Sequence, residues 1–257
     1  MLIDTHSHLY SEEFDNDREA AVQRAIEAGV ELMLLPAIDS QSIQRQQQLA
    51  TSHPSNFRIM AGVHPTSIDD NYERELQIVE EQLRSDAERY VAIGEIGLDL
   101  YWDTTYRQQQ EEALLRQLDL AENYKKPVSI HIRNAYEEFF DLLARRNHAT
   151  YNGVLHCYSG TLQQGWQAIE MGFHLGIGGV LTYKKSLLPD IVAKVPLQSL
   201  VLETDAPYLA PTPFRGRRNE SSYLVYVAQT LADIRQIQVQ NVAETTSENA
   251  KRIFLSN

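Results

Sequence analysis

The 257-residue chain is long enough for one sizeable core, and residues 1–257 are expected to form a single domain. With 43 % hydrophobic and 23 % charged residues it reads as an ordinary globular protein, not a disordered or membrane one. A net charge of −12 and a pI near 5.1 argue against a protein that grips long stretches of nucleic acid, which needs a basic stripe to neutralise phosphates. A nucleic-acid substrate would have to be held locally, by an end or a few phosphates.

The first strand is expected over Leu2–Thr5, running directly into "HSH". An amphipathic helix follows over Asp17–Gly29, with an acidic start and a terminal glycine. Strands are then expected over Glu31–Pro36, Phe57–Val63, Tyr90–Ile96, Pro127–Ile132, Gly153–Tyr158, Phe173–Gly178 and Leu200–Thr204. They are rich in Val, Ile and Leu without strict polar alternation, as strands buried on both faces should be. Helical patterns cover Arg107–Tyr124, Tyr136–Asn147, Ser221–Ile234 and Val242–Phe254. The Gln-rich pieces "QSIQRQQQ" and "RQQQEE" fit exposed helix faces. Eight strands alternating with helices suggest a closed (β/α)₈ TIM barrel. An open doubly wound sheet would offer a Gly-rich phosphate turn after the first strand, where this chain has "THSHLYSEEF".

The chain shows no secretory n- or h-region and no long apolar run, which predicts a cytoplasmic protein with no membrane association. Its one cysteine, Cys157, excludes an intrachain disulfide. On alternating-face grounds Cys157 is read as a packing residue rather than a ligand.

Five of the eight histidines, His6, His8, His64, His131 and His156, fall at or just past the carboxyl ends of expected strands. In a barrel those ends converge on the face where active sites are built. The other three, His53, His148 and His174, fall in connections or at a strand start and are read as surface residues. Glu95 in "AIGEIGLD" and Asp205 in "VLETDAPYL" share the rim, with Glu203 two residues before Asp205. Imidazoles and carboxylates without thiolates suit Zn²⁺, Mn²⁺ or Fe²⁺, and carboxylate-rich subsites admit Mg²⁺. Six ligands exceed one tetrahedral ion, so two divalent cations about 3.5–4 Å apart are expected, bridged by a carboxylate and a hydroxide. Glu95 is the expected bridge, with His6, His8 and Asp205 on one side and His131 and His156 on the other. A bound water of pKa near 7 would be the nucleophile, with Asp205 accepting its proton.

The pieces "DTHSHL", "GVHP", "AIGEIGLD", "HIR", "GVLHCYSG", "LETDAPYL" and "RRNE", in this order, resemble the TatD family of metal-dependent hydrolases, and the likeness runs to the final "NAKRIF". That resemblance implies a deoxyribonuclease, often acting on 3′ ends. It also implies one metal held by His6, His8, Glu95 and Asp205 and a second by Glu95, His131 and His156. His64 would sit beside the site to contact a phosphate or the water, or would serve as a helix cap. Glu203 would help bind a further ion or support a ligand from behind. Arg133, Arg217 and Arg218 are candidate phosphate contacts, with Glu220 an alternative partner for Arg218. Where the family usually continues "RRNEP", this chain has Ser221, which frees the backbone there. The competing function is hydrolysis of a carboxylic ester or amide, such as a D-aminoacyl-tRNA; a third reading is a binding protein with a structural zinc.

Overall fold

All eight apolar runs become strands: β1 (Leu2–Asp4), β2 (Val30–Leu35), β3 (Phe57–Ala61), β4 (Tyr90–Asp99), β5 (Val128–Arg133), β6 (Gly153–Leu155), β7 (Phe173–Ile177) and β8 (Leu200–Leu202). The computed structural model describes residues 1–146 and 150–256, so His148 and Asn147 lie outside the described residues. The helices are α1 (Arg18–Glu27), α2 (Ile43–Ser52), α3 (Tyr72–Asp86), α4 (Arg107–Asn123), α5 (Tyr136–Arg145), α6 (Leu162–Glu170), α7 (Leu188–Val192), α8 (Leu224–Arg235) and α9 (Val239–Phe254).

Every strand pairs in parallel with the next, in the order β1 to β8. The seam between β8 and β1 is drawn together by backbone bonds from Thr5 N–H to Leu202 O (3.0 Å), Asp205 N–H to His6 O (2.9 Å) and His8 N–H to Ala206 O (2.7 Å). The fold is a (β/α)₈ barrel. Strand alternation divides its apolar residues into two sets. Ile3, Leu34, Met60, Ala92, Val154 and Val201 form an inner cluster with Ala250, Ile253 and Phe254 of α9. Leu2, Leu35, Ile59, Ile93, Leu155 and Leu202 face the opposite way, into the larger cluster shared with the helices. Asn249 of α9 donates to Leu197 O and Leu200 O, and Ser247 to Met1 O. α9 therefore closes the amino-terminal end of the barrel and leaves the other end to the loops.

Two differences from the sequence reading have local causes. β6 and β8 stop before His156 and Glu203, because left-handed residues follow at Cys157 (φ 45°) and Asp205 (φ 58°). β4 instead runs three residues further, to Asp99, and pairs Asp99 with Arg133. That extension needs glycine at position 97, where φ is 149° and a Cβ would stand 1.9 Å from His131 O.

The Gln-rich helices are not wholly exposed faces. Each turns a buried glutamine inward to bind strand-end backbone. Gln46 donates to Leu35 O and Met60 O. Gln117 accepts from Val63 N–H and donates to Val63 O, and Gln110 does the same for Asp99. Gln110→Leu would strand a buried donor and acceptor beside the rim. It is expected to lower unfolding free energy by about 2–4 kcal/mol in urea titration; a change below about 0.5 kcal/mol would reject this bracing role.

Candidate metal centre

Past Asp4 the chain bends at Thr5 and pairs again at Ser7 with Ala206, and the side chains of His6 and His8 converge, with their Nε2 atoms 3.2 Å apart. Tyr10 sets the tautomer of His8. Its hydroxyl donates to Pro36 O at 2.7 Å, so its oxygen accepts the proton on His8 Nδ1 at 2.9 Å. The lone pair of His8 Nε2 is thereby turned toward His6. Asp4 fastens this segment from beneath, accepting from the amide (2.9 Å) and hydroxyl (2.6 Å) of Thr204. Burial nevertheless pushes the Asp4 carboxyl up to about 7.

Glu95 occupies the centre. Its Oε2 lies 3.1 Å from His6 Nε2 and 3.6 Å from His8 Nε2. Its Oε1 lies 3.0 Å from His131 Nδ1, 3.3 Å from His64 Nε2 and 3.8 Å from His156 Nε2. Asp205 Oδ1 stands 3.6 Å from His8 Nε2, 3.7 Å from His156 Nε2 and 4.0 Å from His6 Nε2. Asp205 adopts its left-handed conformation here, an arrangement that costs energy and recurs at functional sites.

Two of these histidines have their free nitrogen defined by the partner on the other. Asp99 Oδ2 accepts from His131 Nε2 at 2.9 Å, which leaves Nδ1 facing Glu95. His64 Nδ1 accepts from Thr66 N–H at 3.1 Å and caps a short 3₁₀ turn, so its neutral ring carries the proton on Nε2, toward Glu95. Glu203 Oε1 is 3.0 Å from His156 Nδ1 but poorly aligned with it, and accepts the Cys157 amide at 2.5 Å. Among the described residues His156 Nδ1 and Glu203 Oε2 are buried without a hydrogen bond.

The cluster thus holds more acceptors than protons, and its electrostatics draw in positive charge. Burial alone would depress His156, but Glu203, Asp205 and Glu95 outweigh it and push it up to about 10. His6 is pulled down to about 4 by burial and by His156. Burial opposes ionisation of Glu95, yet His64, His6 and His156 hold it well below the carboxylate range. Lone pairs and carboxylates facing one another at these distances fit a divalent cation, and nitrogen–oxygen donors suit Zn²⁺, Mn²⁺ or Mg²⁺.

The donor atoms form overlapping groups: His6, His8 and Asp205; His64, Glu95 and His131; His6, His156 and Glu203; and His156, Cys157 and Asp205. Cys157 enters because its left-handed backbone takes it off the strand alternation, and burial pushes its thiol up. His53 and His174 lie apart, on Glu19 and Arg252.

The model of the TatD-related DNase family matches residues 3–255. The chain belongs to the TatD family. An uncharacterized metal-dependent hydrolase of Bacillus subtilis, YabD, is 36 % identical over 258 residues, covering all of both chains. The 3′–5′ ssDNA/RNA exonuclease TatD of Pantoea ananatis is 35 % identical, over 98 % of this chain and 99 % of its own. The crystal structure of YjjV, a TatD homologue of Escherichia coli K12, superposes with a TM-score of 0.93 at 33 % identity, covering 100 % of this chain and 98 % of that one. This TatD-family protein is a metal-dependent hydrolase, and among the described residues no helix is long and apolar enough to cross a membrane.

The arginines of the TatD-family motifs part company. Arg133 lies over the Tyr101 ring at 3.8 Å and the Trp102 ring at 5.0 Å. Arg217 is exposed. Arg218 is turned to Asp17 (2.6 and 2.8 Å) and to Glu13 O, and stacks on Phe14, while Glu220, 3.8 Å away, binds Arg24 at 2.6 Å. Ser221 Oγ bonds Ser7 Oγ at 3.2 Å, so the loop is fastened without the usual proline.

Two residues outside the sequence reading orient the ligands, Tyr10 and Asp99. Each sits at even spacing from a predicted ligand, Tyr10 two after His8 and Asp99 four after Glu95. Tyr10→Phe and Asp99→Asn should each weaken metal binding by about 10–100-fold in chelator competition; unchanged affinity would refute the orienting role. Asp17 is held far below the usual carboxylate range by Arg218 and Arg24. Its stabilisation is present above the unfolded pKa, about 4, and is lost as pH falls toward the depressed native value. Asp17→Asn should therefore cost about 0.5–1 kcal/mol at pH 7, the modest worth of a half-exposed pair. The difference from wild type should shrink below pH 4, as followed by urea titration at each pH.

Proposed function

We propose that residues 1–257 form a single hydrolase domain that cleaves phosphodiester bonds at the 3′ end of single-stranded nucleic acid, with two divalent cations divided by Glu95. One observation carries the reading: the two oxygens of Glu95 serve different imidazole sets, Oε2 facing His6 and His8, and Oε1 facing His131, His64 and His156. A carboxylate so placed suits a bridge between His6–His8–Asp205 and His131–His156. Two such cations, when bound, supply Lewis acidity and bring a water within reach of ionisation near neutral pH.

The residues of the chain divide the remaining work. Asp205 Oδ1, close to three imidazoles and partly open to solvent, orients the attacking water and takes its proton. His64 presents its Nε2 proton to Glu95 and to a neighbouring phosphate oxygen. Glu203 holds His156 from behind and leaves one oxygen for a further ion. Arg133 is the phosphate contact: aromatic faces support its guanidinium, and among the described residues no carboxylate forms an ion pair with it. Arg217 adds a second, more exposed charge at the rim. Arg218 acts indirectly, by tying the loop to Asp17.

The unpaired guanidinium favours a phosphate over the carbonyl substrate of an ester or D-aminoacyl-tRNA hydrolase, and the exonuclease name borne by the Pantoea ananatis relative points to 3′ ends. The test measures metal content per chain and hydrolysis of single-stranded DNA, a D-aminoacyl-tRNA and an aryl ester under Mg²⁺, Mn²⁺ and Zn²⁺. Wild type is expected to bind two ions and shorten the DNA, and Glu95→Ala to lose metal and more than about 100-fold in rate. Ester or aminoacyl cleavage without DNA cleavage would overturn the substrate assignment.

A further inference from the structure

The loop after β4 carries two aromatic rings that the core does not use. Tyr101 is 51 % exposed and Trp102 is 70 % exposed, the highest value among the protein's exposed large hydrophobic residues. The rings meet edge to face at 4.8 Å and 87°. Exposing a tryptophan forgoes one of the largest burial gains available to a side chain, so its position calls for a reason.

Position supplies one. Tyr101 follows Asp99 by two residues, its amide donates to the Asp99 carboxylate, and the other Asp99 oxygen holds His131. The platform is therefore built onto the same short segment that orients His131 against Glu95. Arg133, paired in register with Asp99, lays its guanidinium on Tyr101 and, among the described residues, makes no side-chain hydrogen bond or ion pair. Arg133 covers one face of Tyr101 at 3.8 Å and stands over one face of Trp102 at 5.0 Å, and the indole, 70 % exposed, keeps the rest of its surface open to solvent. A cation for phosphate and a free π-face for a planar ring thus lie side by side at the mouth of the barrel.

We infer that Trp102, with Tyr101 and Arg133, forms a nucleotide subsite in which an unpaired base stacks on the indole while its phosphate meets the guanidinium. The inference rests on the phosphodiesterase reading above and adds a reason for single strands. A base inside a duplex is stacked on both faces and shows only its edges, so it cannot lie flat on an indole, whereas an unpaired base can. Stacking needs no hydrogen-bond readout, so the subsite accepts all four bases. It also supplies affinity without net positive charge, as a protein of net charge −12 requires.

The experiment separates binding from turnover. In chelator, where no strand is cut, the full chain carrying Trp166→Phe reports Trp102 fluorescence as a five-nucleotide thymidine strand is added. A strand of equal length with abasic sites keeps the phosphates and lacks the rings. Quenching is expected with the base-bearing strand only. By anisotropy of a labelled strand, Trp102→Ala should weaken its binding about 5- to 150-fold, the range for loss of one stacked base. Trp102→Phe should recover part of the loss, and neither variant should alter abasic binding. Equal affinity for the two strands, no quenching, or an unchanged affinity in Trp102→Ala would overturn the subsite. The two readings fail separately. Cleavage of DNA by the metal-loaded enzyme with no dependence of binding on Trp102 removes the subsite alone. Trp102-dependent binding without cleavage removes the phosphodiesterase reading alone.

Discussion

The carboxylate of Glu95 sits inside a ring of imidazoles, two of which direct their protons away from it, and the rest of the structure is arranged around that imbalance. His8 gives its Nδ1 proton to Tyr10, and His131 gives its Nε2 proton to Asp99. Each remaining lone pair is turned toward an oxygen or another lone pair at roughly hydrogen-bond distance. Bringing so many acceptors together in a buried space is unfavourable unless a cation or protons intervene. The high pKa of His156 and the low one of Glu95 express the same demand for positive charge.

Such a site needs walls that cannot relax. The glutamines of α2 and α4 substitute for backbone partners where the strands run out, clamping Leu35, Met60, Val63 and Asp99. Asp4 and Thr204 do the same at the seam, one layer below His6. At the opposite end α9 seals the barrel with Ile253 and Phe254. Stability is thus concentrated at one end and the core, and chemistry at the other, the usual division of labour in this fold.

The barrel and the residues gathered in the centre were legible because both follow from period-two alternation. Short apolar runs ending in His or acid can be placed on one rim before any coordinates exist. What was hidden depends on which nitrogen of a ring holds the proton. Tyr10 and Asp99 look like ordinary polar residues until their partners on His8 and His131 are seen. Gln46, Gln110 and Gln117 were hidden for a related reason: polar residues on a helix read as exposed, and only strand ends lacking partners call them inward. The Arg218 geometry was equally invisible, since its partner Asp17 lies 201 residues away.

The loops obey a looser rule than the centre. In an eight-stranded barrel the segments after β4 and β8 face each other across the mouth, and here they differ in character. One carries Tyr101 and Trp102 beside Arg133; the other carries the half-exposed Tyr208 near His8, with Arg215, stacked on Tyr183 at 4.4 Å, and Arg217. Exposed side chains such as Trp102 can change at little cost to folding, whereas Glu95 or Asp99 cannot change without leaving buried groups unpaired. Substrate choice can therefore drift while the metal chemistry stays fixed. If the substrate is nucleic acid, as proposed, the net charge of −12 limits how much of it the enzyme could hold, and the Tyr101–Trp102 platform would select the part that enters the mouth.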